Sequence, residues 1–257
     1  MILIKIFVSA LMALTLTFNN LGWAIVVMTL IVKFALLPLL IPSIKSAKIM
    51  KKLQPKLADL KKKYGNDKER MAKEQMKLYK SAGVNPMSGC LPQILQIAVL
   101  IIFYNSFQKL VSFSTGVMGV DDLNKYLFEF LKVSPDFSVN TSFLGSDLAT
   151  IPATAFASGV IGTMILPIFL LVASAGLQFL GAKLMMPTAK TDKVVAKKTA
   201  DKEDDMTAAM RSQSMYMMPL MTVFIGWKFT VGILLYWFVN SAMTVVQQVL
   251  VGKTKKK

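Results

Sequence analysis

An all-α, polytopic membrane protein with five transmembrane helices and a cytoplasmic helical hairpin is the fold this sequence predicts, and three observations predict it. Of 257 residues, 54% are hydrophobic, more than the roughly 45–50% of ordinary soluble domains. Apolar stretches at or near the length that a ~30 Å hydrocarbon core requires recur along the chain. Charged residues are almost confined to the segments between those stretches, and they are sorted by sign.

The elements follow in order. Residues 1–20 open with MILIKIFVSALMALTLTF, a charged start and an apolar run as in a signal peptide. No clear small-x-small cleavage site follows, so the segment reads as an uncleaved helix lying at the outer surface. The five-span core is expected over 21–251, with spans at about 21–44, 86–108, 159–182, 214–228 and 231–251; the stretch 214–228 is the shortest. A first crossing shifted to 6–32 would leave Lys33 at the cytoplasmic surface, but Asn19, Asn20 and Gly22 interrupt that window. Residues 45–83 form two charged amphipathic segments around the breaker Gly65-Asn66-Asp67, with Asp67 as N-cap and Gly83 as C-cap. On the second segment Met71, Gln75, Leu78 and Ala82 make a thin apolar stripe, so the hairpin would be mobile. A solvated charged loop is the plainer reading of such a run, yet two capped segments of matching length exceed what a passive linker needs. The outer segment 112–158 shows a helical piece near 121–132 and little periodicity beyond it. A cytoplasmic loop is expected over 183–213, and its stretch 187–210 is polar and poor in aromatics, hence flexible. FIGWKFTVG (224–232) is long enough only for a tight turn, which makes the last two spans an antiparallel pair. A basic tail, 252–257, follows.

Net charge is +16, which in a soluble protein would point to nucleic acid. Its distribution points elsewhere. Residues 45–83 hold 13 Lys/Arg against 4 Asp/Glu, 183–213 hold 7 against 5, and 253–257 hold 4 lysines, whereas 112–158 hold only 2 against 5. Lys/Arg excess marks cytoplasmic loops, so the N-terminus is expected outside and the tail inside, with Trp23 and Trp227 at outer ends of spans.

Histidine is absent. That removes Ser-His-Asp and Cys-His chemistry and the HExxH metal site together. All 14 acidic residues lie between the spans and Cys90 is alone, so neither a membrane carboxylate pair nor a disulfide is available. The chain reads as a non-enzyme, with no cofactor and no metal.

One charge breaks the pattern. Lys33 lies near the middle of LGWAIVVMTLIVKFALLPLLIPSI (21–44), roughly 16 Å from either end at 1.5 Å per residue, too deep to snorkel comfortably. An ionisable group there costs at least about 2.5 kcal/mol and must face protein or water. Other polar residues recur at helical spacing: Thr29 one turn before Lys33, Gln93 and Gln96, Ser174 and Gln178, and the line Tyr236, Asn240, Thr244, Gln248. Taken singly, each is more readily interhelical glue. Together with a cation lacking any carboxylate partner in the spans, they favour a shared wet groove. Pro38, Pro42, Pro92, Pro167 and Pro219 permit bent helices that need not close tightly.

The residues from Gly22 to Gln96, including IVKFALLPL and GVNPMSGCLPQ, together with FLGSDL (143–148), AGLQFLGAKLM (175–185) and QSMYMMPLMTVFIGWKFTVGILLYWFVNSAMTVVQQ (213–248), resemble the YidC/Oxa/Alb membrane protein insertases. The resemblance runs in order over nearly the whole chain from residue 21. It implies a five-span core with a positively charged hydrophilic groove, open to the cytoplasm and to lipid and closed outside. The groove's basic residue falls on Lys33 and its polar and aromatic positions on Gln178, Tyr236 and Trp237; with the stripes, the candidate groove set is Lys33, Thr29, Gln93, Gln96, Gln178, Tyr236, Trp237 and Asn240. Lysine stands where arginine is common, which keeps the charge and loses the planar fork. The large periplasmic domain of Gram-negative relatives and the lipoprotein cysteine of many Gram-positive ones have no counterpart, so the compact type is the nearer match.

The implied function is insertion of nascent membrane proteins into the lipid bilayer, without ATP, in a bacterial plasma membrane. Expected partners are nascent membrane proteins, the bilayer, and the ribosome through the basic tail and cytoplasmic loops, with the Sec translocon a further candidate. A small transporter or channel subunit using Lys33 as an anion site is the alternative; it predicts internal repeats of the spans, which are not found. A pure assembly chaperone would share the groove but not translocation.

Overall fold

The computed structural model describes residues 2–64, 67–85, 91–157, 159–185 and 213–253. Helix α1 (Ile2–Phe18) leads into α2 (Leu21–Tyr64), and α3 (Lys68–Ser81) precedes α4 (Leu91–Ser114). A segment then carries α5 (Val120–Asn124), a 3-10 turn (Glu129–Leu131), the strands β1 (Ser142–Phe143) and β2 (Ser146–Asp147) and α6 (Pro152–Ala157). It leads to α7 (Ile161–Met185); a π-helical turn (Gln213–Met217) continues into α8 (Met218–Gly226), and α9 (Val231–Lys253) completes the order. Within α2, α4, α7 and α9 lie four stretches long and apolar enough to cross a membrane. The protein is an all-α, multi-pass membrane protein.

Several boundaries differ from expectation. The first span and the first hairpin segment are one unbroken helix of 44 residues, because the passage from lipid-facing to charged side chains at residue 45 changes polarity and not backbone propensity. Pro38, Pro42 and Pro55 all lie inside it. Pro167 is likewise internal to α7, whereas Pro92 falls in the first turn of α4, where a missing N–H costs nothing, and Pro219 stands just past the π-helical turn that leads into α8. Asp67 caps α3 as expected, its carboxylate accepting from the Arg70 N–H. The closing cap is Ala82, and Gly83 follows it at φ +67°, the left-handed position that suits glycine. α4 runs to Ser114, past the expected 108. The helical piece at 121–132 is broken into α5 and the 3-10 turn, and the β-hairpin has no precursor in the sequence pattern. The fourth expected span is the short one: five residues of π-helix and nine of α-helix reach about 20 Å at 1.5 Å per residue. α8 packs along α7 rather than along α9, so the last two segments share a tight turn without forming an antiparallel pair. The flexible-loop assignment at 187–210 and the tail 254–257 lie outside the described residues.

α9 packs on α7 and α2, and α1 packs on α2 and α4. α1 is therefore part of the bundle, with Val8, Leu11 and Met12 buried. The apolar core gathers Val8, Leu11 and Met12 of α1, Leu21, Ala24, Ile25 and Met28 of α2, Phe103, Phe107, Leu110 and Val111 of α4, Leu123, Leu127, Val139, Phe143 and Leu148, Leu166, Leu170 and Leu171 of α7, and Val231, Ile233, Leu234, Leu235 and Tyr236 of α9. Every one of these lies in the half of the bundle nearest the segment 115–151, here called the loop end. No member of this core lies beyond Met28 on α2, Leu171 on α7 or Tyr236 on α9. The other half, the hairpin end, carries α3 and the charged extension of α2.

Candidate functional site

Lys33 stands five residues past Met28, the last core residue on α2, and it is 6% exposed. Its ammonium donates to Thr244 Oγ1 on α9 at 2.8 Å and to Gln96 Oε1 on α4 at 3.3 Å. The Gln96 amide is thereby oriented, its carbonyl toward the cation and its Nε2 donating to the Tyr236 hydroxyl at 2.8 Å. Thr244 in turn donates to the Asn240 carbonyl, and Gln247 Nε2 donates to the Lys33 carbonyl at 3.2 Å. One side chain of α2 thus ties α4 to α9. Among the described residues no carboxylate forms an ion pair with Lys33, and a lysine ammonium has three donors of which these bonds use two.

Beside this network lies a cavity of about 20 Å³ lined by Thr29, Lys33, Gln96, Tyr236 and Asn240, with Leu36 and Val99 among its apolar walls. That is room for about one water molecule. Its floor is aromatic: the Tyr236 ring, 2% exposed, stacks on Phe103 at 4.3 Å, with Phe107 parallel beyond it. Tyr236 therefore faces two ways, its ring closing the apolar core and its hydroxyl reaching the polar side. The α4 backbone approaches α2 and α9 closely over far less of its length than that of α1 approaches α2, and side chains such as Phe103 and Gln96 bridge the gap to α9.

Five of the eight expected site residues converge here: Lys33, Thr29, Gln96, Tyr236 and Asn240. Thr29 lines the cavity while its hydroxyl donates back to the Ile25 carbonyl, so it supplies volume rather than a bond to the cation. Three lie elsewhere. Gln93 is exposed and reaches Met218 Sδ at 3.7 Å; Gln178 accepts from the Thr222 hydroxyl at 2.8 Å, joining α7 to α8; Trp237 packs edge-on against Phe229, toward the loop end. Thr244, placed on the polar line of α9 but outside the candidate set, is the nearest partner of Lys33. Gln247 was off that line altogether, and its i+3 offset from Thr244 was the signal available. Among the described residues no group of metal-ligating side chains gathers.

The 60Kd inner membrane protein family is matched by residues 13–257. Relatives bearing the name membrane protein insertase YidC include those of Campylobacter jejuni, 31% identical over 91% of this chain and 34% of the relative, and Haemophilus ducreyi, 32% identical over 93% of this chain and 35% of the relative. The Fusobacterium nucleatum protein of that name is 29% identical over 91% of this chain and 87% of its own length. The chain thus spans about a third of the length of the first two and most of the third. With a match over nearly its whole length, the chain belongs to the YidC/Oxa/Alb membrane protein insertase family.

Proposed function

We propose that this chain inserts nascent membrane proteins into the bilayer, receiving the polar flank of a substrate at Lys33. The observation that carries the reading is a buried ammonium held, among the described residues, by neutral side chains of two other helices, where the apolar core stops. Neutral acceptors are exchangeable ones. A carboxylate on an entering tail makes a stronger, charge-assisted bond than Gln96 or Thr244 does, so it can displace them as α4 yields. A cavity holding about one water cannot take a peptide as it stands, which makes movement of α4 part of the reading. The apolar segment then passes into lipid, driven by burial of ~20 apolar residues and needing no ATP.

In this reading the hairpin end is cytoplasmic, by the Lys/Arg excess of 45–83, and the chain sits in a bacterial plasma membrane. The hairpin meets the substrate first, and the tail lysines attract ribosomal RNA. Truncation after Val251 is expected to weaken ribosome co-sedimentation in a salt-sensitive way while leaving insertion of pre-made substrate intact.

The deciding experiment is insertion of a small single-span substrate into protein-containing liposomes. Lys33→Arg should retain activity; Lys33→Ala should slow substrates with acidic tails, and Lys33→Glu should slow them more. A substrate with a neutralised tail should depend less on Lys33. Equal insertion of acidic-tailed substrate by wild type and Lys33→Ala would remove Lys33 from the mechanism.

A further inference from the structure

The turn between β1 and β2 is built from Leu144 and Gly145, with φ +48° and +80°. Two positive φ values in a two-residue hairpin loop match a type I′ turn, whose first position favours Asn, Asp or Gly. Leucine there bears the left-handed penalty of an L-residue with a bulky side chain. It gains nothing inside the protein in return, since Leu144 is 73% exposed while its neighbours Phe143 and Ser146 are buried. Neither turn geometry nor core packing accounts for an apolar side chain at this point.

Its level in the molecule does. Asn20 Nδ2 donates to the Ser142 carbonyl at 2.8 Å and the Leu21 N–H to the Asn140 carbonyl at 3.0 Å. Ser146 Oγ donates to the Thr163 carbonyl at 3.3 Å, and the Gly232 N–H to the Leu148 carbonyl at 3.0 Å. The hairpin is thereby fixed to the first turns of α2, α7 and α9, the level at which three membrane helices begin. Trp23, half exposed, sets its ring edge-on to Phe143 at 5.7 Å, and aromatic side chains of this kind collect at the headgroup level. The exposed Ile161 and Ile165 of α7 carry the apolar surface on toward the bilayer interior.

We propose that Leu144 is a lipid anchor: the hairpin tip seats in the boundary between headgroups and acyl chains at the loop end, and so pins the segment that ties α2, α7 and α9 together. The occupant is the bilayer itself, because the site is continuous with the lipid-facing sides of the helices it joins.

A Leu144→Cys variant in a Cys90→Ser background, labelled with an environment-sensitive fluorophore and reconstituted in phosphatidylcholine–phosphatidylglycerol vesicles, tests this. Asp136→Cys, exposed in the same segment, is the comparator. Nitroxide carried high on the lipid acyl chains should quench position 144 several-fold more than position 136, and aqueous iodide should do the reverse. Equal access of iodide to both positions would overturn the proposal. Shielding of position 144 from both quenchers would assign the tip to a protein contact and overturn it equally.

Discussion

The two ends of the bundle are built on opposite principles. At the loop end, apolar side chains from α1, α2, α4, α7, α9 and the 115–151 segment form one core. Backbone groups left over at the starts of helices find partners there too: the Leu21, Val231 and Gly232 N–H groups donate to the carbonyls of Asn140, Thr150 and Leu148. At the hairpin end buried Lys33, Ser43 and Gln247 stand among scattered apolar residues, Leu40, Ile44, Val84 and Met215, that are not part of the core cluster, the helices are joined by side-chain bonds, and among its described residues α3 offers only Tyr79 as a well-buried one. A closed, apolar end gives a fixed frame. A polar end held by exchangeable hydrogen bonds can open without unfolding it.

That contrast can be broken first at its boundary. Phe103 lies under Tyr236 and within the core, so Phe103→Ala is expected to cost about 3–5 kcal/mol by cavity formation and to lower the midpoint of thermal unfolding in detergent more than any hairpin-end change. A fall no larger than that of an exposed control would mean the core does not carry the fold.

Gly232 tests the frame from the other direction. A methyl group added there would overlap the Phe107 ring, and Phe107 is fully buried, so the ring has nowhere to move cheaply. Gly232→Ala should destabilise by about 1–3 kcal/mol through overpacking, read from the same unfolding curves. Gly83→Ala, at a hairpin-end position with open space but positive φ, should cost less, about 1 kcal/mol, and should act locally on α3.

Asn20 sharpens the comparison at a single cap. Its Oδ1 accepts from the N–H groups of Gly22 and Trp23 while its Nδ2 holds Ser142. Asn20→Ala should cost about 1 kcal/mol and raise amide exchange at residues 140–148 more than at α3. Uniform exchange changes would show that the hairpin is not tied to α2 through this residue.

How much of this was legible in the sequence follows from what each signal depends on. Lys33 was legible because one charge in an apolar helix is costly whatever surrounds it, and Gln96, Tyr236 and Asn240 because a helix displays its period in the sequence. The partners themselves were not. Gln178 and Gln93 carry the same spacing signal as Gln96, but they bond Thr222 and Met218 on α8, a choice made by helix placement that no single helix encodes. Gln247 bonds a main-chain carbonyl, and a carbonyl leaves no mark on residue type. The unbroken α2 was hidden by the change of polarity at residue 45, and the β-hairpin by Leu144, which stands where asparagine would have announced a turn.

The smallest expected effect on stability is the most informative about the site. Replacing Lys33 by methionine keeps an unbranched side chain of similar length and removes the ammonium. Little is orphaned: Thr244 still donates to the Asn240 carbonyl, Gln96 still donates to Tyr236, and the freed Gln96 carbonyl faces a cavity with room for a water. Removing an intramembrane charge also relieves its desolvation, so Lys33→Met should leave the unfolding midpoint unchanged or slightly raised, within about 1 kcal/mol of wild type. If Lys33 is there to bind, insertion of acidic-tailed substrate should fall while stability holds. A loss of stability approaching that of Gly232→Ala, with insertion per folded molecule intact, would instead make the Lys33–Thr244–Gln96 network part of the frame, and the division between the two ends would have to be drawn further along α2.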